Sequence, residues 1–129
     1  MITYSIYIVD DESVIRDGIA MALESDFHVE AFETAETAQK AIKQRKPDLT
    51  LLDIGLPGIS GIELLGELKR RHVQVPVIIM TAHPDVPLAV EAIQMGAFDF
   101  MEKPILDQAV VRRVMEAFRL EPTPHGPSA

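Results

Sequence analysis

Five short apolar segments alternate along the chain with longer segments in which apolar residues recur every three or four positions. The short segments are rich in β-branched residues, which is typical of strands, and we predict strands at residues 5–9, 28–32, 49–52, 77–80 and 98–101. The first, third and fourth are nearly continuous hydrophobic runs. Strands that are buried on both faces have this character, so we expect these three to be central in a sheet.

The longer segments predict five helices, at residues 12–25, 35–45, 60–71, 86–95 and 106–120. Thr34 is the expected N-cap of the second helix, and Gly96 follows the fourth. One apolar face of the first helix is expected to hold Val14, Ile15, Gly18, Ile19, Ala22 and Leu23. Because strands that alternate with helices are parallel strands joined by crossovers, we predict an α/β fold with a five-stranded, doubly wound parallel sheet.

Composition narrows the classes of function. The chain has 129 residues, enough for one compact domain, and it contains no cysteine that would form a disulfide or a thiolate metal site. A net charge of −8 argues against a broad nucleic-acid surface, since phosphate binding draws on clustered Lys and Arg. Charged residues or prolines interrupt the longest apolar runs, and the N-terminus lacks a signal-peptide pattern. We therefore expect no membrane span and a cytoplasmic location.

Polar residues follow four of the predicted strands at the point where each strand ends. In chain order they are Asp10, Asp11 and Glu12 after the first strand, Asp53 after the third, Thr81 after the fourth and Lys103 after the fifth. Because the loops at the carboxyl ends of parallel strands form the binding crevice of an open sheet, we expect these side chains to lie together. Converging carboxylates repel one another, and a hard divalent cation would relieve that repulsion. Mg²⁺ is the natural candidate, since it prefers oxygen ligands and commonly partners phosphate.

Each of these residues also has an ordinary structural interpretation. A pair of aspartates before a helix, such as Asp10 and Asp11, is often only an N-terminal cap. An aspartate after a strand, such as Asp53, is usually a turn residue. Thr81 alone would be a loop cap, and Lys103 alone a solvated surface charge. The functional interpretation depends on the conjunction of these groups at four separate strand ends.

A longer set of motifs surrounds these residues. It consists of Val9-Asp10-Asp11-Glu12, Pro47-Asp48, Leu51-Leu52-Asp53-Ile54-Gly55-Leu56-Pro57-Gly58, Ser60-Gly61, Met80-Thr81-Ala82, and Gly96-Ala97-Phe98-Asp99-Phe100 leading to Lys103-Pro104. Together these motifs resemble the CheY-like receiver domains of bacterial response regulators, from residue 6 to about residue 120. Residues 81–92 are most similar to FixJ-type regulators, whose receivers precede a LuxR-type helix-turn-helix domain. The resemblance implies a flavodoxin-like, CheY-like fold with strand order 2-1-3-4-5.

The resemblance also implies a role for each matching residue of the acidic site. Asp53 corresponds to the phosphoryl acceptor, and Lys103 to the cation that meets the phosphoryl oxygens. Asp11, Asp53 and the backbone carbonyl of Gly55 correspond to direct Mg²⁺ ligands, while Asp10 would hold a metal-bound water. In this family the peptide bond that follows the lysine, here Lys103–Pro104, is usually cis.

Two further pairs of positions concern switching and rate. Thr81 corresponds to the hydroxyl that binds a phosphoryl oxygen, and Phe100 to the aromatic residue that moves inward when the threonine shifts. Phenylalanine lacks the hydroxyl of the usual tyrosine, so the inward state would gain packing alone, and a purely core role for Phe100 is the alternative. Gly55 and His83 occupy positions that tune phosphorylation and hydrolysis rates in the family, although a loop histidine is usually a solvated bystander.

The implied organisation is a receiver domain at residues 1–120, followed at 121–129 by the start of a Pro-rich linker to a C-terminal helix-turn-helix effector outside this chain. Its implied partners are a sensor histidine kinase and, after phosphorylation, a second copy bound through residues 86–101. DNA would be contacted only through the effector. Kinase choice is expected to depend on the first helix and the loop after the fifth strand.

Three alternatives remain at this point: a single-domain regulator, a phosphorylation-independent binding module, and an enzyme such as a magnesium phosphatase with an aspartate nucleophile. Such phosphatases generally need a second aspartate two residues after the nucleophile as acid and base. Gly55 occupies that position, which disfavours the enzyme and leaves self-phosphorylation and self-dephosphorylation at Asp53 as the expected chemistry.

Overall fold

A computed structural model of the protein describes residues 3–55, 61–70, 75–82 and 86–120. Strands and helices alternate in the order β1 (Ser5–Val9), α1 (Ser13–Leu23), β2 (His28–Phe32), α2 (Ala35–Gln44), β3 (Leu49–Asp53), α3 (Gly61–Arg70), β4 (Val77–Thr81), α4 (Val86–Gln94), β5 (Asp99–Glu102) and α5 (Asp107–Ala117). The strands form one parallel sheet with the order β2-β1-β3-β4-β5. The predicted fold is confirmed, and β1, β3 and β4 are the central strands.

The sheet separates two apolar layers, because successive side chains of a strand point to opposite faces. On one face the strands pack against α1 and α5, through buried residues that include Ile6, Ile8, Ile19, Leu23, Leu51, Ile78, Val110 and Val114. On the other face they pack against α2, α3 and α4, through residues that include Tyr7, Val9, Ala38, Leu52, Leu64, Leu65, Ile79 and Ala92. Both faces of the sheet are therefore covered, which leaves its carboxyl edge as the accessible place for a site.

Several element boundaries differ from the prediction by one to three residues. Strand β5 begins at Asp99 rather than at residue 98, and α1 begins at Ser13, with Glu12 as an extended N-cap. Helix α5 ends at Ala117, three residues before the predicted limit. Its end has a physical cause: Arg119 has a left-handed φ of 58°, and the Leu120 N–H donates to the Met115 carbonyl.

The apolar face predicted for α1 is wider than the buried one. Ile19 and Leu23 are buried, but Val14 is 84% exposed and Gly18 is also exposed. The helix packs against β1, β2 and α5, where Ile15 and Ala22 are partly buried, and the apolar Val14 side chain in its first turn lies outside that contact. Periodicity alone identified the helix but not the width of its contact.

Two other expectations concern the helix termini and the membrane. The Thr34 hydroxyl accepts a hydrogen bond from the Thr37 N–H at 3.1 Å, which confirms Thr34 as the N-cap of α2. Among the described helices, none has both the length and the apolar character needed to cross a bilayer. The predictions for His83 and for the linker at 121–129 lie outside the described residues.

Candidate functional site

The strand order brings the predicted polar residues to one edge of the sheet. From β1 the chain passes to β2 on one side and later to β3 on the other, so a crevice opens between the ends of β1 and β3. Asp10 follows β1 directly, with its N–H bonded to the Phe32 carbonyl at 3.0 Å. Asp53 is the last residue of β3 and lies beside Met80 of the neighbouring strand. The two carboxylates therefore end adjacent strands at the point where the winding of the chain reverses.

A cavity of about 240 Å³ lies at this edge, and its lining residues are Asp11, Glu12, Asp53, Gly55, Thr81, Ala82 and Lys103. Of the predicted site residues, the structure thus brings Asp11, Asp53, Gly55, Thr81 and Lys103 together. Asp10 is fully buried beneath them. Phe100 lies elsewhere, half-buried against the layer that contains α2, α3 and α4.

The Lys103 ammonium is the central group of the cavity. Its Nζ lies 2.7 Å from Asp10 Oδ2 and 3.1 Å from Asp53 Oδ2, and all three side chains are almost completely buried. The Lys103 N–H donates to the Thr81 carbonyl at 2.7 Å, which attaches the end of β5 to the end of β4. The Lys103–Pro104 peptide bond is cis. One cation is thereby held between the carboxylates of β1 and β3.

Burial and pairing act in opposite directions on these charges. Burial raises the pKa of Asp10 above its ordinary value, although the Lys103 ammonium and the Glu12 N–H, 2.9 Å from Asp10 Oδ1, favour the charged form. Burial alone would lower the pKa of Lys103, but Asp10 and Asp53 together hold that pKa above its ordinary value. Lys103 is therefore a permanent positive charge near neutral pH.

Both carboxylate oxygens of Asp53 have partners. Oδ1 accepts a hydrogen bond from the Gly55 N–H at 2.9 Å, while Oδ2 faces Lys103. The backbone beyond Asp53 is attached to the neighbouring strand, because the Ile54 N–H donates to the Met80 carbonyl at 3.2 Å. The carboxylate is thus held in one orientation at the floor of the cavity.

The acidic cluster has the composition of a divalent-cation site. Asp10, Asp11, Glu12 and Asp53 each offer a carboxylate oxygen, and these oxygens lie within 4.8 Å of one another. Among the residues that the structure describes, these four carboxylates share the site with one ammonium, that of Lys103, so the site carries an excess of negative charge that a cation would neutralise. A set of oxygen donors of this kind suits Mg²⁺.

One ion pair in the cavity goes beyond the sequence prediction that these strand-end residues lie together. Glu12 Oε1 lies 3.2 Å from Lys103 Nζ, although Glu12 had no assigned role. The sequence contained a weak signal of it, because glutamate stands at the N-cap of α1, where Ser, Thr, Asp and Asn are preferred. The Glu12 side chain makes no capping hydrogen bond to α1 and instead reaches across the cavity.

Comparison with known proteins agrees with this geometry. Residues 6–115 match the family model of the response regulator receiver domain. The chain is 39% identical over 115 residues to the transcriptional regulatory protein FixJ of Bradyrhizobium diazoefficiens, covering 88% of this chain and 56% of that protein. It is 40% identical over 123 residues to the DNA-binding transcriptional regulator NtrC of Escherichia coli K12, covering 92% of this chain and 26% of that protein.

The fold has a similarly good match among solved structures. The receiver domain of NtrX from Brucella abortus superposes with a TM-score of 0.82 at 37% identity, covering 90% of this chain and 99% of that one. The chain spans about half the length of FixJ and about a quarter of NtrC. On the family match, the relatives and the fold, the chain belongs to the response regulator receiver domains.

Proposed function

We propose that Asp53 is the phosphoryl acceptor of this receiver and that a sensor histidine kinase is the donor. The observation that carries this proposal is the orientation of the Asp53 carboxylate, held by the Gly55 N–H on one oxygen and facing Lys103 with the other. It lies in a cavity open to a small phosphodonor or to a phosphohistidine side chain. Acceptance of a phosphoryl group at Asp53 and its later hydrolysis would be the only covalent chemistry of the chain.

The transfer itself is a displacement at phosphorus. A carboxylate oxygen of Asp53 attacks the phosphorus atom, the bond from phosphorus to the imidazole nitrogen breaks, and the imidazole leaves with the electron pair. The product is an acyl phosphate. Lys103, already 3.1 Å from Asp53, offsets negative charge on the phosphoryl oxygens, and the Thr81 hydroxyl at the cavity wall donates to one of them.

The acidic cluster supports a magnesium-dependent reaction. Asp11, Asp53 and the Gly55 carbonyl would hold the ion directly, and Asp10 would orient a bound water. When bound, Mg²⁺ neutralises part of the charge that accumulates between the carboxylates and the phosphoryl group. Gly55 leaves the mouth of the cavity open, and it would influence the rates of phosphorylation and hydrolysis together with His83.

Phosphorylation would be transmitted through Thr81 and Phe100. Thr81 is buried beside Asp53, while Phe100 is half-buried one strand away, and movement of the threonine towards a phosphoryl oxygen would open space for the ring. The added phosphate, with about −1.5 to −2 charge, would bias an existing equilibrium between two packings of α4 and β5.

The output surface that we propose is the face formed by residues 86–101. Val90, Ile93 and Phe98 are each nearly half-exposed there, and an apolar depression of about 280 Å³ lies along α4. A second copy of the chain would cover this apolar area in the phosphorylated state. Residues 121–129 would then lead to a DNA-binding effector, so that a cytoplasmic dimer controls transcription. A single-domain regulator that acts on another protein is the alternative.

Acetyl phosphate and Mg²⁺ test the acceptor assignment. Intact-mass analysis should show one added phosphate on the wild type and on Asp26→Asn, a matched change of an exposed aspartate, but none on Asp53→Asn. An adduct on Asp53→Asn would reject the assignment. No adduct on any of the three would favour a binding module that is switched without phosphorylation.

Sedimentation with and without beryllofluoride, a phosphoryl mimic, tests the output surface. The wild type should shift from monomer to dimer. Ile93→Asp should stay monomeric, whereas Met21→Asp, which introduces the same charge at an exposed apolar position of α1, should still dimerise. If both variants dimerise like the wild type, the face of residues 86–101 is not the interface.

A further inference from the structure

The Lys103 ammonium has three protons and three carboxylate neighbours. Its Nζ lies 2.7 Å from Asp10, 3.1 Å from Asp53 and 3.2 Å from Glu12. The ammonium donates hydrogen bonds to Glu12 and Asp53 and forms a close ion pair with Asp10, so carboxylates surround it in the unphosphorylated protein. A phosphoryl oxygen that is to be bound by Lys103 must take the place of one of these carboxylates.

The three carboxylates differ in how easily each can be displaced from the Lys103 ammonium. Asp10 is fully buried and accepts the Glu12 N–H through its other oxygen, so its departure would strand a charge without water. Asp53 is held by the Gly55 N–H and is itself the acceptor of the phosphoryl group. The Glu12 side chain is 56% exposed and makes no capping bond, so it exchanges Lys103 for water at little cost.

We propose that Glu12 is a placeholder for the phosphoryl group. Its carboxylate accepts the outermost N–H of the Lys103 ammonium, at the mouth of the cavity. An incoming phosphoryl oxygen displaces the carboxylate from this hydrogen bond. Glu12 forms and breaks no covalent bond, and it acts on the reaction through Lys103 as a positioning residue. The inference rests on the proposed phosphorylation of Asp53 and assigns a function to a carboxylate that the family resemblance left without a role.

The placeholder should slow phosphorylation of the resting protein. Glu12 sets a negative charge near the path of a dianionic phosphodonor and competes with it for Lys103. At an effective dielectric constant near that of water, removal of one charge a few ångströms away should speed the reaction about three- to tenfold. The gain should shrink as salt is added, because the Glu12 side chain is exposed to screening.

Glu12→Gln and Glu24→Gln form a matched pair for this test. Both replace an exposed glutamate by its amide and change the net charge equally, but Glu24 lies at the opposite end of α1. The second-order rate constant with acetyl phosphate would be measured by intact mass, at saturating Mg²⁺ so that differences in metal affinity do not contribute. Beryllofluoride affinity supplies an equilibrium readout, and Glu12→Asp keeps the charge but shortens the reach.

The expected result is a faster reaction and tighter beryllofluoride binding for Glu12→Gln than for Glu24→Gln, with Glu12→Asp between Glu12→Gln and the wild type. Equal rates for the two amide variants would overturn the inference, since the ion pair would then be a surface contact without influence. A slower Glu12→Gln would also overturn it, because Glu12 would then be needed to hold Lys103 in place. Phosphorylation of the wild type on Asp53 in the same assay keeps these failures distinct from failure of the proposed function.

Discussion

Gly61 lies directly against the backbone of Asp53. A Cβ on Gly61 would overlap the Asp53 carbonyl oxygen and would lie 2.9 Å from its carbonyl carbon and 2.6 Å from the Ile54 Cα. These are backbone atoms at the end of β3, which cannot move aside as a flexible side chain can. The first residue of α3 is thus a glycine because the helix begins against the strand end that carries the proposed phosphoryl acceptor.

Gly61→Ala should therefore damage both stability and phosphorylation. Relief of the overlap would have to displace α3 or the end of β3, and overpacking of this kind costs about 1–3 kcal/mol. The free energy of unfolding, measured by urea titration, should fall by that amount, and the initial rate with acetyl phosphate should fall because the Asp53 backbone is displaced.

Gly18→Ala is the control for Gly61→Ala. Gly18 lies in the interior of α1, and a Cβ there would meet nothing within 4 Å. Alanine should raise the free energy of unfolding by about 0.5–1 kcal/mol, since glycine is the poorer helix former. Equal effects of the two substitutions would mean that the close approach at Gly61 has no energetic consequence.

Lys103→Met should make the thermal stability of the protein more dependent on Mg²⁺. Without the ammonium, the buried carboxylates of Asp10 and Asp53 have lost their shared cation, and breaking a buried pair in this way costs about 3–5 kcal/mol. In EDTA the variant should melt well below the wild type. Because Mg²⁺ supplies positive charge to the same acidic cluster, its addition should raise the Tm of the variant more than that of the wild type.

Lys43→Met makes the same chemical change at an exposed position of α2. Its Tm in EDTA and its response to Mg²⁺ should match the wild type. If Mg²⁺ raised the Tm of Lys103→Met no more than that of Lys43→Met, the divalent cation would not share the electrostatic site of the Lys103 ammonium.

Much of this fold followed from local patterns. Strands β1 and β2 have the bounds that the apolar segments predicted, and the polar residues at four strand ends meet at one cavity. Both results depend on properties that single segments carry: the apolar residues within a strand, and the polar group that ends it. Parallel topology then brings the strand ends to the same edge.

What the sequence did not reveal depends on contacts between distant segments. The Glu12–Lys103 pair joins residues 91 positions apart, and the glutamate at the N-cap of α1 is only a weak sign that its side chain reaches across the cavity. The exposure of Val14 has the same origin, since the width of the strip that α1 buries is set by β2 and α5 rather than by its own periodicity. The overlap at Gly61 likewise exists only once α3 lies against β3.

Arg119→Gly should stabilise the protein. Arg119 has a φ of 58° in the turn that ends α5, a conformation that glycine adopts readily and other residues adopt at a cost. The free energy of unfolding should rise by up to about 1 kcal/mol. Arg112→Gly, at an exposed position inside α5, should instead lower it by about 1 kcal/mol. Destabilisation by both substitutions would show that the left-handed conformation at residue 119 carries little strain.

The pH dependence of the free energy of unfolding should show the effect of the Tyr7 phenol. Burial is the main cause that raises the pKa of Tyr7 above 10.0, and the charge of Glu30 adds to it. The folded protein thus keeps the phenolic proton to higher pH than the unfolded chain does. Below pH 10.0 the contribution of Tyr7 to stability is constant, and above it the unfolded state ionises first, so stability falls as pH rises towards the folded pKa.

The variant Tyr7→Phe should lose about 1 kcal/mol of stability at neutral pH, because the hydroxyl no longer donates to the Arg45 carbonyl, but should show a shallower alkaline decline in stability. Urea titrations across this pH range would measure both effects. An unchanged decline in Tyr7→Phe would mean that another group causes it.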